Sequence, residues 1–315
     1  MTPGLWGAIS AVSWGTCDFL ARFTGRAAGY LNALLGMLLV SSVFLSLWIV
    51  LGGVPLVWTP TSLALLIFAG VCSLIGYIFL YMAFTRGPVS VVAPIAGSYP
   101  ALVVLIAVVL GSRPSTMQWV GTVVTLAGVV VVARGGTETP GGNEIEAGEA
   151  ASHPPSPVAD TARTTAGTWA RLMPERRRTV AGAALSALAW AFMISATQKV
   201  APTAGTLETI WLPRVVAFLL LALALTMRWA RGRPRPSVPG RWWPVIAAQA
   251  GLDVAGYYTL YAAADGPNPE IAAMASSAYY VVTVLLGRII LKERLGSAQI
   301  GGIALVFTGI MLLSA

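Results

Sequence analysis

Between Arg26 and Arg134 the chain carries just two further charges, Arg86 and Arg113. A stretch this apolar belongs in lipid, where no water is available to bond to the backbone, so each peptide group must find its partner within the chain. Helices achieve this inside one segment. Barrel strands would show about ten residues of strict alternation, which these segments lack. The whole chain is 57% hydrophobic and 10% charged, with a mean hydropathy of +0.76. Soluble domains carry roughly a quarter charged residues, so a water-soluble globule is excluded.

A helix needs about 20 apolar residues to cross the hydrocarbon core. Ten segments fit: Leu5–Phe23, Tyr30–Leu51, Ser62–Phe84, Val89–Leu110, Met117–Ala133, Val180–Gln198, Leu207–Met227, Trp242–Ala264, Glu270–Leu291 and Ala298–Ser314. They fall into two sets of five, and the sets repeat each other. AISAVSW at Ala8–Trp14 returns as ALSALAW at Ala184–Trp190, and GYIFLYMA at Gly76–Ala83 as GYYTLYAA at Gly256–Ala263. Gly87-Pro88 matches Gly266-Pro267, and Gln118, Gly121 and Gly128 match Gln299, Gly302 and Gly309. Self-similarity at a fixed offset marks a duplicated unit. An odd number of spans per unit turns the second copy upside down, the arrangement of alternating-access carriers. The expected fold is an all-α membrane protein of ten transmembrane helices in two inverted five-helix repeats, residues 1–133 and 179–315.

Residues 134–178 join the repeats and are rich in Gly, Pro, Ala, Ser, Thr and acids, with His153 among them. They read as a flexible tether. Basic residues crowd the odd-numbered loops and this linker, including Arg26, Arg86, Arg134, Arg176–Arg178, Arg228, Arg231, Arg233, Arg235, Arg241, Lys292 and Arg294; the even-numbered loops hold Arg113 and Lys199. The positive-inside rule therefore predicts odd loops and linker in the cytoplasm and both termini outside. The net charge of +8 is thus a topology signal rather than a nucleic-acid surface. Cys17 and Cys72 have no metal or disulfide spacing and read as packing residues. The first segment lacks the basic stretch and cleavage site of a signal peptide and is expected to be retained.

The runs WGTCDFLARF in the first span, LGSRPSTMQWVG between the fourth and fifth, and LKERLGSAQIGG between the ninth and tenth resemble the drug/metabolite transporter superfamily, in its EamA-type ten-helix branch. The resemblance covers the chain outside the linker. It implies an exporter or importer of small metabolites and leaves the solute open among amino acids, drugs, sugars and others. In that branch each half carries a Gly-Glu-Arg-Leu-like turn before its last helix. Lys292, Glu293, Arg294 and Leu295 match it, whereas Gly111, Ser112, Arg113 and Pro114 lack the acid.

Ionisable residues inside a span cost about 2.5 to 3.5 kcal/mol at its centre and mark candidate sites. Asp253 lies roughly 12 Å deep in the eighth span and Arg214 roughly 10 Å deep in the seventh, entering from the opposite face. They are placed to meet, either as a permanent bridge or as a pair that opens to a charged solute or a proton. Asp18 and Arg22 are four apart in the first span, the spacing of a local ion pair. Yet Asp18 corresponds to apolar Ile194 in the second half, which points to function. Asp18 and Asp253 are the coupling candidates. Glu208 and Glu270 start the seventh and ninth spans, where acids suit the helix dipole.

Tyr77, Tyr81, Tyr257, Tyr258 and Tyr261, with Tyr279 and Tyr280 in the ninth span, lie too deep for interfacial anchors. They pack the core or line a cavity holding an amphipathic solute. Trp14 and its counterpart Trp190 belong with them, as does Trp211, one turn from Arg214. Pro94 and Pro100 interrupt the fourth span, and Pro267 and Pro269 precede the ninth, which makes these spans cavity walls with Ser98, Ser276 and Ser277 as polar contacts. Gly121, Gly128, Gly301, Gly302 and Gly309 suggest close helix packing and, if outward-facing, a homodimer.

The expected function is secondary transport, as an exporter working by alternating access, of small amphipathic metabolites such as amino acids or organic cations, in a bacterial cytoplasmic membrane. No cofactor or metal is expected, nor any nucleic-acid partner; solute and bilayer are the partners. No GxxxxGK[ST] run is present, so a gradient would supply the energy. The alternatives are a membrane-embedded enzyme, for which no nucleophile–base or metal-spaced set is found, and a non-transporting scaffold.

Overall fold

The computed structural model describes residues 2–56, 58–135, 175–264, 272 and 275–313. Most of the linker, with His153, lies outside the described residues, as do Gly266, Pro267, Pro269 and Glu270.

Among the described residues the chain is helical, without strands. The first half runs through α1 (Pro3–Ala28), α2 (Tyr30–Leu51), α3 (Pro60–Arg86), α4 (Val89–Ala96), α5 (Tyr99–Val109) and α6 (Thr116–Gly135). The second runs through α7 (Glu175–Ala204), α8 (Thr206–Ala230), α9 (Trp243–Ala264), α10 (Tyr279–Ile290) and α11 (Ser297–Leu313), with one 3-10 turn at Gly240–Trp242. Among the described residues, six helical stretches are long and apolar enough to cross a membrane: α2, α3, the α4–α5 pair, α6, α7 and α8. The helices α10 and α11 are apolar but shorter. The length of α1 and α9 suffices, but they carry Asp18, Arg22, Arg26, Gln249 and Asp253 and stand outside those six. Residues such as Val43, Leu47, Val71, Ile75, Leu219 and Leu223 are exposed, an aliphatic perimeter suited to lipid tails.

Local sequence sets the junctions. Thr59 caps α3 reciprocally with Ser62, and Pro60 fills the first helical position, where no N–H is needed. Gly29 alone joins α1 to α2 at φ 79°, and Gly205 alone joins α7 to α8 at φ 83°. Both lie in the left-handed region that a Cβ disfavours, and they stand 176 residues apart, the offset of the repeat.

The fourth span breaks between α4 and α5 at Gly97–Ser98, where Ser98 N–H bonds to Ile95 and Ala101 N–H to Ser98. The same break recurs 180 residues on: Ala278 N–H bonds to Ala275, and Val281 N–H to Ala278. Met274 and Tyr280 stand there in place of Pro94 and Pro100. Proline therefore accompanies the break in the fourth span, as expected, but not the matching one. The two breaks meet, since a Cβ on Gly97 would lie 2.9 Å from the Tyr280 ring.

Contacts between the halves come in exchanged pairs. Helix α1 packs on α9 as α7 packs on α3; α1 packs on α10 as α7 packs on α4 and α5; α2 packs on α9 as α8 packs on α3. Helices α6 and α11 pair with each other through small residues. A Cβ on Gly121 would lie 2.7 Å from the Gly309 carbonyl, and one on Gly128 would lie 2.9 Å from that of Gly302. Gly121, Gly128, Gly302 and Gly309 thus serve close packing between these two helices, while Gly301 has nothing within 4 Å.

Candidate functional site

The seam between the halves is built from α1, α3, α7 and α9, and aromatic pairs bridge it twice. Trp14 meets Tyr257 edge-on at 4.7 Å between ring centroids, and Trp190 meets Tyr77 edge-on at the same 4.7 Å. These are equivalent positions with the halves exchanged. Each indole lies against the glycine of the other half's Gly-Tyr pair, Gly256 for Trp14 and Gly76 for Trp190, because a side chain there would occupy the ring's place. Ser10 adds a hydrogen bond across the seam to the Gly256 carbonyl at 2.9 Å.

Between these pairs lies a cavity lined by Trp14, Asp18, Tyr77, Trp190, Ile194, Asp253 and Tyr257, and also by Leu80, Ala96, Tyr99 and Tyr279. Its volume of about 40 Å³ accommodates a few water molecules, at about 10–15 Å³ each.

Asp253 is buried and balanced. Its Oδ2 lies 2.5 Å from Nη2 of Arg214, and its Oδ1 accepts the Tyr77 hydroxyl at 2.9 Å. The Arg214 guanidinium also faces the rings of Tyr257, at 4.6 Å, and Tyr77, at 5.3 Å, within cation–π range. The meeting of helices expected from depth therefore occurs, with Arg214 just behind the lining. Removing one partner of such a buried pair leaves an uncompensated charge, which costs about 3–5 kcal/mol.

Asp18 differs. It lines the same cavity, but among the described residues no hydrogen bond or ion pair reaches its carboxylate. Arg22, one turn further along α1, instead donates to the Gly87 carbonyl at 2.5 Å and lies 3.9 Å from Glu293. Ile194 faces the same cavity, so the symmetry-breaking acid and its apolar counterpart share one chamber.

Of the other candidates, Tyr81 is engaged by Gln249, whose amide donates to the Tyr81 hydroxyl at 2.6 Å and accepts from Thr24 at 3.0 Å. Trp211 donates to Ser46 at 2.8 Å and stacks on Trp58, while Tyr258 packs on Trp48; both belong to the flank formed with α2. Ser98 donates to the Ile95 carbonyl at the helix break. Tyr280 is buried between Gly97 and Phe307, and Ser276 and Ser277 are buried just ahead of α10. Tyr261 donates to Thr197 at 3.1 Å, and Glu208 is buried at the start of α8. Sequence reasoning did not single out Tyr99 or Gln249. The 180-residue offset that relates Tyr99 to Tyr279 was the available signal for the first.

A model of the EamA-like transporter family matches residues 1–134 and 177–315, both halves and nearly the whole chain. The chain belongs to this family. As an EamA-like protein it is a multi-pass membrane transporter of the drug/metabolite type, with the two-repeat architecture. No curated protein sequence matches it. A solved structure described as "Crystal structure of protein" is similar to it at a TM-score of 0.63 and 18% identity, covering 98% of this chain and 97% of its own; that likeness is one of fold. In this EamA-like chain the described residues hold no cluster of His, Cys, Asp or Glu suited to a metal ion.

Proposed function

We propose that this chain is a secondary transporter that carries small amphipathic solutes, amino acids or organic cations, across a bacterial cytoplasmic membrane by alternating access. Its ten spans form two inverted repeats, and the solute site is the cavity between Trp14, Trp190, Tyr77 and Tyr257, with Asp18 and Asp253 as the groups that bind charge or protons. The observation that carries this reading is the exchanged aromatic pairing around a chamber holding two acids, one balanced and one open to a ligand. Alternating access would widen this cavity of about 40 Å³ toward one side of the membrane at a time. Cation-binding aromatic faces beside an acid favour positively charged or zwitterionic solutes.

The test is counterflow of labelled amino acids and organic cations in liposomes holding the purified protein. Wild type is expected to exchange at least one of them, and Asp18→Asn or Asp253→Asn to lower exchange about tenfold or more and flatten its pH dependence. Unaltered pH dependence in both variants removes the coupling role. Chemical conversion of a solute would replace transport by catalysis.

A further inference from the structure

Glu293 lies outside the cavity, with one carboxylate oxygen near the Arg22 guanidinium. Its carboxylate accepts the N–H groups of Val89, at 2.9 Å, and Ser90, at 3.0 Å, the first two residues of α4. These are donors that a helix leaves unpaired in its first turn. Its Oε1 also lies 3.9 Å from Arg22 Nη1, the atom that donates to the Gly87 carbonyl. The turn that delivers this carboxylate is specific. Lys292 adopts φ 55°, a left-handed conformation uncommon for a residue with a side chain, and Gly287 leaves room beside Val89 and Glu293.

On α1, Asp18 and Arg22 stand at the spacing where opposite charges ordinarily pair. Here they do not: Asp18 faces the cavity while Arg22 is drawn to Gly87 and Glu293. The repeat supplies an internal comparison. The positions corresponding to Asp18, Arg22 and Glu293 are Ile194, Gln198 and Ser112, so all three charges are replaced together in the other half. An acid that served only as a helix cap would give no reason for the other two to disappear with it.

We infer that Glu293 is a specificity-determining residue that acts through Arg22: by holding the guanidinium at the α4 terminus, it leaves Asp18 available as the counter-ion for a cationic solute. Without Glu293, Arg22 turns back one helical turn, neutralises Asp18, and the cavity loses its preference for cations. This rests on the transport reading proposed above.

The full-length protein in liposomes is tested with labelled phenyltrimethylammonium, a permanently charged aromatic cation. Wild type moves the probe and Asp18→Asn does not. Glu293→Gln keeps one acceptor for the α4 amides and lowers transport at least about tenfold, the scale of losing a buried ionic contact. The double variant Arg22→Gln with Glu293→Gln regains most of the wild-type rate, because nothing is left to neutralise Asp18. Arg22→Gln alone also keeps transport, which tests the inference independently of how well Glu293→Gln folds. Full transport by Glu293→Gln, no recovery in the double variant, or loss of transport in Arg22→Gln overturns it. Equal inactivity of wild type and Asp18→Asn toward the probe overturns the cation reading of the cavity itself, and the inference with it.

Discussion

At the residue scale, the two indoles at the seam depend on the absence of a side chain opposite. A Cβ on residue 256 would lie 2.6 Å from the Trp14 ring, whereas one on residue 76 would lie 3.2 Å from that of Trp190. Overpacking a filled core costs about 1–3 kcal/mol. Gly256→Ala is therefore expected to lower the melting temperature in detergent clearly, and Gly76→Ala to lower it less; the opposite order would mean that the Trp14 side yields more easily than its geometry indicates. The sequence marked Trp14, Trp190, Tyr77 and Tyr257 because each recurs at the repeat offset. It could not divide Tyr257 from Tyr258. Adjacent helical residues point about 100° apart, and only packing reveals that Tyr257 faces the cavity while Tyr258 turns to Trp48. Tyr81 shares the face of Tyr77 one turn away, but Gln249 claims its hydroxyl.

At the element scale, the glycines of α6 and α11 explain why these two helices pair so closely. Helix association in lipid gains little from hydrophobicity and depends on close packing and hydrogen bonds. Gly302 lies against Val132 and the Gly128 carbonyl, while its neighbour Gly301 has nothing within 4 Å. Gly302→Leu should destabilise the fold by about 1–3 kcal/mol or more, and Gly301→Leu should leave thermal unfolding nearly unchanged. Equal losses in the two variants would mean that the helix pair is rotated from this register. Spacing showed that these helices carry small residues on one side but not whether that side meets lipid, a second copy or the rest of the chain. The helix breaks carry a similar lesson. Pro94 and Pro100 mark the break in the fourth span, yet the second-half break forms without proline at the matching positions, and Gly97 and Tyr280 lie against each other where the two breaks meet.

At the scale of the whole molecule, the paired exchange of contacts between halves is what a two-fold related duplication produces, and the distribution of arginines gives it a direction across the bilayer. Both termini are expected outside: a phosphatase fused after Ala315 should be active and a cytoplasm-only fluorescent reporter dark. A bright, phosphatase-negative fusion would reverse the orientation. Composition and periodicity alone determined that the chain is helical, membrane-embedded and duplicated, because the demand of backbone groups for partners in lipid and the recurrence of whole segments act along the chain itself. That Asp253 and Arg214 lie near one depth was also legible, since rise per residue is fixed. Tertiary structure alone decided that they touch, that Arg22 reaches Gly87 and Glu293 while Asp18 lines the cavity, and that Tyr99 joins the lining. Those outcomes depend on the rotation of each helix about its axis, which is set by packing against neighbours remote in sequence.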